Sequence, residues 1–288
     1  MIVLAFAASL LLEAPLRPLN ASDVTAPRAS FHSTLGLSKA QEKSEETEKQ
    51  RERRLLNEAH AVVKKLEKGL KSKERDARIA ALAEASATTH PVVIGGIAKA
   101  LRHSDERVVD SAIEILGRVR HPAALDALLK QGKRAKKSLS KNPERHVALV
   151  RAIGLHEQTR AIPWLLKGAL EDESFEVRRM RVFAIARTRS PKALDALITA
   201  MRRSDPRRLA QRMRELRTAL IWITGVDRGD NPENWFKWVR DAEQKPVLPK
   251  KPPRMEEQRE SAWYRAWGEP RPRQRQTERG ERGGNSRS

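Results

Sequence analysis

Lysine and arginine are the residues whose number and spacing in this chain suggest chemistry, and that chemistry is the binding of negative charge. One cluster holds Arg178, Arg179, Arg181, Arg187, Arg189, Lys192, Arg202, Arg203, Arg207, Arg208, Arg212, Arg214 and Arg217 against Asp195, Asp205 and Glu215. A second holds Lys130, Lys133, Arg134, Lys136, Lys137, Lys141 and Arg145 against Glu144. The formal charge of the whole chain is +21 and its pI is about 10.8, a balance that suits a nucleic acid or another polyanion. Lys133, Arg134, Lys136, Lys137, Lys141, Arg178, Arg179, Arg181, Arg202, Arg203, Arg207, Arg208 and Arg212 are therefore the candidate partner-binding set. Two readings stand. The clusters form one basic groove that tracks a phosphate backbone or other polyanion, or they are a solvated arginine-rich face.

Other chemistries lack their residues, so no catalytic group, metal site or cofactor is expected. The chain has no cysteine and no glycine-rich phosphate loop. His146 and His156 stand ten apart, not at the i, i+4 spacing of paired metal ligands on a helix. Asp227, Asp230 and Asn231 lack the spacing of a calcium loop, and Arg228-Gly229-Asp230 is too short to carry information.

The frame for these charges is a phrase that occurs four times. It begins at His90, His121, Gln158 and Ser190, with steps of 31, 37 and 32 residues, the period of a helical hairpin stacked into a solenoid. Pro91, Pro122 and Pro191 suit the first position of a helix, where a missing amide hydrogen is harmless, and the residue before each is the expected cap. Ile94 and Ile97, Leu125 and Leu128, Ile162 and Leu165, and Leu194 and Leu197 then mark a buried stripe. Before each phrase, Ser86, Gly117, Gly154 and Ala186 form a small column, expected to let the two helices of one hairpin approach closely. Beside them Ala85, Leu116, Ile153 and Ile185 form an apolar column.

With its polar turns Ser72-Lys73-Glu74-Arg75-Asp76, Ser104-Asp105-Glu106, Glu171-Asp172-Glu173-Ser174 and Ser204-Asp205-Pro206, each followed by a helix and then by such a phrase, the chain resembles the HEAT-repeat family in its short bacterial form. The resemblance spans about residues 55 to 240 and implies an all-α solenoid of stacked antiparallel pairs that serves as a binding scaffold. It departs from the pattern at Thr159, where the other phrases have proline, and in the basic stretch before the third unit. The alkylpurine DNA glycosylases and the bilin lyases use similar repeats. Only basic charge relates this chain to the former, and only the repeat itself to the latter.

The ends differ from the middle. Leu55, Ala59, Val62, Val63, Leu66 and Leu70 make a stripe that serves as the first layer. At the other end Gly225 stops a helix, Asn231 and Pro232 start another, and Trp222, Trp235 and Trp238 are expected to pack as a cap. This Thr-Gly, turn, Asn-Pro-Glu, Trp-x-x-Trp ending resembles the closing element of exported HEAT proteins of some environmental bacteria.

The expected organisation is a signal peptide over 1–26, a linker over 27–50, the solenoid with its tryptophan cap over 51–241, and a disordered basic Pro/Arg/Gly-rich tail over 242–288. Ile2 to Leu12 are apolar apart from Ser9, a length that suits a signal-peptide core and is too short to cross a bilayer. Without cysteine there is no lipoprotein anchor, and no transmembrane anchor is expected. In the tail, Trp263, Tyr264 and Trp267 suit either a docking motif for a partner or a short helix folded back on the solenoid. The sequence thus predicts a non-enzymatic, exported scaffold for a protein or anionic polymer. The alternative is an intracellular nucleic-acid-binding solenoid, and oligomeric state is left open.

Overall fold

A computed structural model describes residues 34–169, 174–241, 248, 249 and 251–271, with side chains from Thr47 onward except that of Gln211. The signal-peptide expectation lies outside these residues. The chain divides into two units between Arg51 and Glu52, the first containing the amino-terminal part of helix α1 (Thr34–Leu70) and the second holding the stack. Part of the expected linker is therefore helical. Lysine, glutamate and glutamine between Thr34 and Arg51 are strong helix formers that need no burial, and residues 47–58 are all exposed.

In the second unit α2 (Arg75–Ala85) and α3 (Pro91–Ala100) form the first hairpin, followed by α4 (Glu106–Arg118) and α5 (Pro122–Arg134). A short α6 (Lys136–Lys141) is interposed before α7 (Pro143–Leu155) and α8 (Ile162–Ala169). Then come α9 (Phe175–Arg187) with α10 (Pro191–Arg203), and α11 (Pro206–Thr224) with α12 (Pro232–Asp241). Helices α2, α4, α7, α9 and α11 pack in succession as one layer, while α3 lies beside α5, and α10 beside both α8 and α12, as the other. This is an all-α solenoid, with no strand among the described residues.

The caps follow the repeated phrase. Val92 N–H donates to His90 Nδ1 at 3.3 Å, Ala123 N–H to His121 Nδ1 at 3.1 Å, and Ala193 N–H to Ser190 Oγ at 3.2 Å. The third unit, without its proline, enters α8 through a 3-10 turn over Thr159–Ala161. Ile94, Leu125, Ile162 and Leu194 are buried, as are Ala85, Leu116, Ile153 and Ile185.

The small column does a different job from the expected one. A Cβ on Gly117 would lie 2.8 Å from Ala152 Cβ of α7, and one on Gly154 would lie 2.8 Å from Ala184 Cβ of α9. Small residues thus join successive first helices of neighbouring units, not the two helices of one hairpin. The first-helix layer is the tighter of the two, so it sets the size limit. The front stripe is corrected in one place: Ala59 and Leu66 are buried, but Leu55 is 46 % exposed because the packed part of α1 begins only beyond it.

Ion pairs also run between neighbouring units. Arg78 and Arg75 of α2 both reach Asp105 at the start of α4, whose carboxyl they hold far below the usual carboxylate range. Arg145 of α7 grips Asp110 of α4 at 2.6 Å and 3.2 Å, and Arg187 of α9 reaches Glu157 at 3.1 Å. At the far end Arg217 forks onto Asp227 at 2.7 Å and reaches Asp230 at 2.9 Å. Gly225 takes the left-handed conformation at φ 73°, and Trp235 is fully buried with its indole N–H donating to Gly229 O at 2.9 Å.

The tail is not disordered throughout. Residues 251–271 include helix α13 (Glu257–Trp267), which folds back on the solenoid. Trp263 is fully buried, 4.1 Å between ring centroids from Trp222 of α11 and 4.9 Å from Phe183 of α9. Trp222 therefore serves the tail, and the cap expected of three tryptophans is made by Trp235 and Trp238. Trp267 lies against Gly154, with Arg187 over its ring at 4.4 Å, and Arg151 Nε donates to Ala266 O at 2.9 Å. The indole N–H groups of Trp222, Trp263 and Trp267 are buried without a hydrogen-bond acceptor among the described residues. Docking thus rests on apolar area and ring packing, which outweigh three unpaired donors. Trp263→Ala is expected to weaken the docking by about 3–5 kcal/mol. It should lower the urea midpoint and open the chain beyond Asp241 to protease, and unchanged protection would show that Trp263 does not hold the tail.

A candidate basic cleft and edge

The stretch that lengthens the second repeat step, before the third unit, builds a concavity among the described residues. Asn142 caps α7 by accepting from Arg145 N–H at 3.0 Å, so the chain needs α6 to travel from the end of α5 to this start. Leu139, buried at 2 % exposure, pins α6 to the stack. The second-helix layer is thereby opened between α5 and α8, leaving a cavity of about 870 Å³ lined by residues of α5, α6, α7, α8 and α9.

One wall is a tryptophan clamp. Gly132 of α5 lies so close to Trp164 of α8 that a Cβ there would be 2.4 Å from Cζ2. Over the same indole stands the Arg181 guanidinium, 4.3 Å from the ring centroid. Arg181 is 7 % exposed, donates to Trp164 O at 3.0 Å and meets His146 Nε2 at 3.1 Å. Arginine has only N–H groups to give, so His146 Nε2 accepts and its proton, when neutral, is on Nδ1. Arg160 is held by Asp126 and by Pro122 O, tying the start of α8 to α5.

The rim is cationic. Lys133 at the end of α5, Lys136 of α6 and Lys167 of α8 line the cavity, are exposed, and have no carboxylate partner among the described residues. A shallower hollow of about 260 Å³ lies along the same edge, lined by Leu166 of α8, Arg203 of α10, and Arg208 and Arg212 of α11. Asp205 lines it too, but its carboxylate caps α11 by accepting from Arg207 and Arg208 N–H at 3.1 Å and 3.2 Å.

The candidate set from the sequence is therefore divided. Lys133, Lys136 and Arg181 meet at the cleft, and Arg203, Arg208 and Arg212 at the shallower hollow. Lys137, Lys141 and Arg207 are exposed nearby in sequence, and Arg134 donates to Gln131 at 2.9 Å. Arg178 and Arg179 line a separate crevice with Phe175, where Arg179 also pairs with Glu176. Arg202 lies 5.4 Å from the Phe236 ring centroid. Trp263 and Trp267 are buried against the stack, and Tyr264 is half-buried beside Trp222. Of the two readings of the tail, the structure has the helix folded back.

Trp164, Lys167, Arg160 and His146 were not among the sequence candidates. A signal existed. The seventh position of the phrase is Gly96, Ala127, Trp164 and Ala196, so a single large ring replaces small residues beside the unit that carries the insertion.

The histidine that closes α7 is structural. His156 is 6 % exposed and its Nε2–H donates to Leu116 O at 3.0 Å. Burial holds the imidazole below its ordinary value of 6.5, against the opposing effect of that hydrogen bond, and Arg120 and Arg160 add repulsion. The unfolded chain then takes up the proton first, so stability is full above the ordinary imidazole value and falls as pH drops towards the folded one. The urea midpoint is expected to decline between neutral and mildly acidic solution, and less so in His156→Gln. Equal dependence in both proteins would contradict this role.

Among the described residues no group of three or more His, Asp or Glu side chains could hold a metal, and no helix is long and apolar enough to cross a membrane. Residues 136–216, from α6 into α11, match the family profile of HEAT repeats. A search of the curated proteins returned no match.

Proposed function

We propose that this chain, a helical-repeat scaffold by its HEAT repeats, is a non-enzymatic protein that binds a protein or an anionic polymer through the basic edge running from α5 to α11. The observation that supports the reading is the division of the charges. Arg78, Arg145, Arg187 and Arg217 are committed to carboxylates that join elements of the stack. Lys133, Lys136, Lys167, Arg203, Arg207 and Arg208 are exposed and lack a carboxylate partner among the described residues. Structural pairing accounts for the first group and leaves the second available to an anion.

Binding to heparin, polyglutamate and oligothymidylate, compared at matched charge, should weaken steeply as salt rises, with a log–log slope of about 0.9 or less per cation engaged. Converting Lys133, Lys136 and Lys167 together to glutamate should cost roughly tenfold or more in affinity, with helix content unchanged. Affinity indifferent to that triple change would sink the edge reading, and a strong preference for oligothymidylate would favour an intracellular nucleic-acid binder.

The apolar run Ile2 to Leu12 supports export as part of the same reading. Sequencing the mature amino terminus from the native host should show a chain beginning near residue 27. A retained Met1 would overturn export.

A further inference from the structure

The cleft beside Trp164 combines features that the rest of the basic edge lacks. Its cavity of about 870 Å³ lies in the range of specific binding pockets, and its floor is aliphatic, with Leu129, Leu139, Pro163 and Val177. Lys133, Lys136 and Lys167 bring three positive charges to it from three different helices, and no carboxylate is among the described residues that line it. A polyanion needs only the charges. An apolar floor beneath them is matched by a ligand that is apolar at its centre and anionic on either side.

We propose that the cleft seats one large aliphatic side chain of an acidic protein segment, with the flanking carboxylates paired to Lys133, Lys136 and Lys167. This rests on the reading of the edge as an anion-binding surface and names what the cleft adds to it. Charge complementarity sets the sign of the partner. The lining favours an alkyl anchor over a nucleobase, because Trp164 is closed off by Gly132 at its rim and lies under the Arg181 guanidinium. Stacking of bases on a free aromatic face, the usual means of holding single strands, meets a ring here with one face already taken by Arg181. Lysine ammonium groups, as compact point charges, suit single carboxylates. The clamp has its own part: Arg181 and Trp164 fix α9 to α8 and keep the wall in place when the floor is filled.

The test uses the full chain and two synthetic glutamate peptides of equal length, one with a central leucine and one with glycine in its place. Burying the leucine should make the first bind about tenfold tighter. Ser140, exposed on α6 and lining the cavity, is replaced by tryptophan to fill the cleft without touching a lysine. Ser140→Trp should abolish the leucine advantage while binding to heparin keeps its salt dependence. Lys167→Ala, a variant without bulk, should weaken both peptides by a similar factor. Equal binding of the two peptides, with heparin binding intact, would overturn the cleft proposal and leave the edge standing. Loss of all anion binding by the natural protein would overturn both. A clear preference for oligothymidylate over the leucine peptide would mean that the cleft serves nucleic acid, and would also overturn the proposal.

Discussion

A pair of antiparallel helices has two apolar sides and no interior, so each hairpin of this chain can be stable only if the next one covers it. The constraint falls hardest on the first helices of the units. Gly117 against Ala152 and Gly154 against Ala184 bring these helices together at distances that leave no room for a larger residue. The spacing then places Leu116, Ile153 and Ile185 in the seam, and it brings Arg145 within reach of Asp110 and Arg187 within reach of Glu157. Charge pairing at the edges thus follows from close packing in the middle.

Because one layer is held so closely, an insertion has to be absorbed by the other. Helix α6 lengthens the path between the second and third hairpins while α4 and α7 remain packed, so the second-helix layer opens between α5 and α8. The opening would leave apolar wall exposed. Trp164 fills part of it and Arg181 covers the ring, which turns a local excess of chain into a shaped cleft. The lysines at its rim follow from helix geometry, since Lys133 and Lys136 flank the break at Ala135 and Lys167 lies one turn beyond Trp164. Positive charge there faces the carboxyl-terminal ends of α5 and α8, where a cation is favoured by the helix dipole.

The outer side of the first-helix layer carries a second use of the same small column. Gly154 touches Ala184 and also Trp267, so a residue without a side chain serves both the stack and the helix that folds back over it. Arg187 pairs with Glu157 within the stack and with Glu269 of the tail at 2.8 Å, and Arg189 donates to Lys251 O at 2.7 Å. Several arginines of the dense basic run are thus building material. Their density in the sequence overstates the charge left for a partner.

The sequence by itself determined the period, the caps and the buried stripes, because proline, a capping residue and leucines three apart act through local geometry that repeats with the chain. It also determined the closing turn, where Gly225 and Asn231 have backbone roles that few other residues fill. It did not determine what the small column touches, because residue size reports that something is near and not which helix it is. It misread part of the amino-terminal linker, since a charged helix without an apolar face looks the same as an extended tether. The fate of the tail is not decided by sequence for a similar reason: Trp263 and Trp267 ask for burial, and only the positions of Phe183, Trp222 and Gly154 in space provide it. The basic residues were the least legible. Whether an arginine is committed or available depends on a carboxylate ten to thirty-five positions away in the chain, and only the folded stack decides the distance between them.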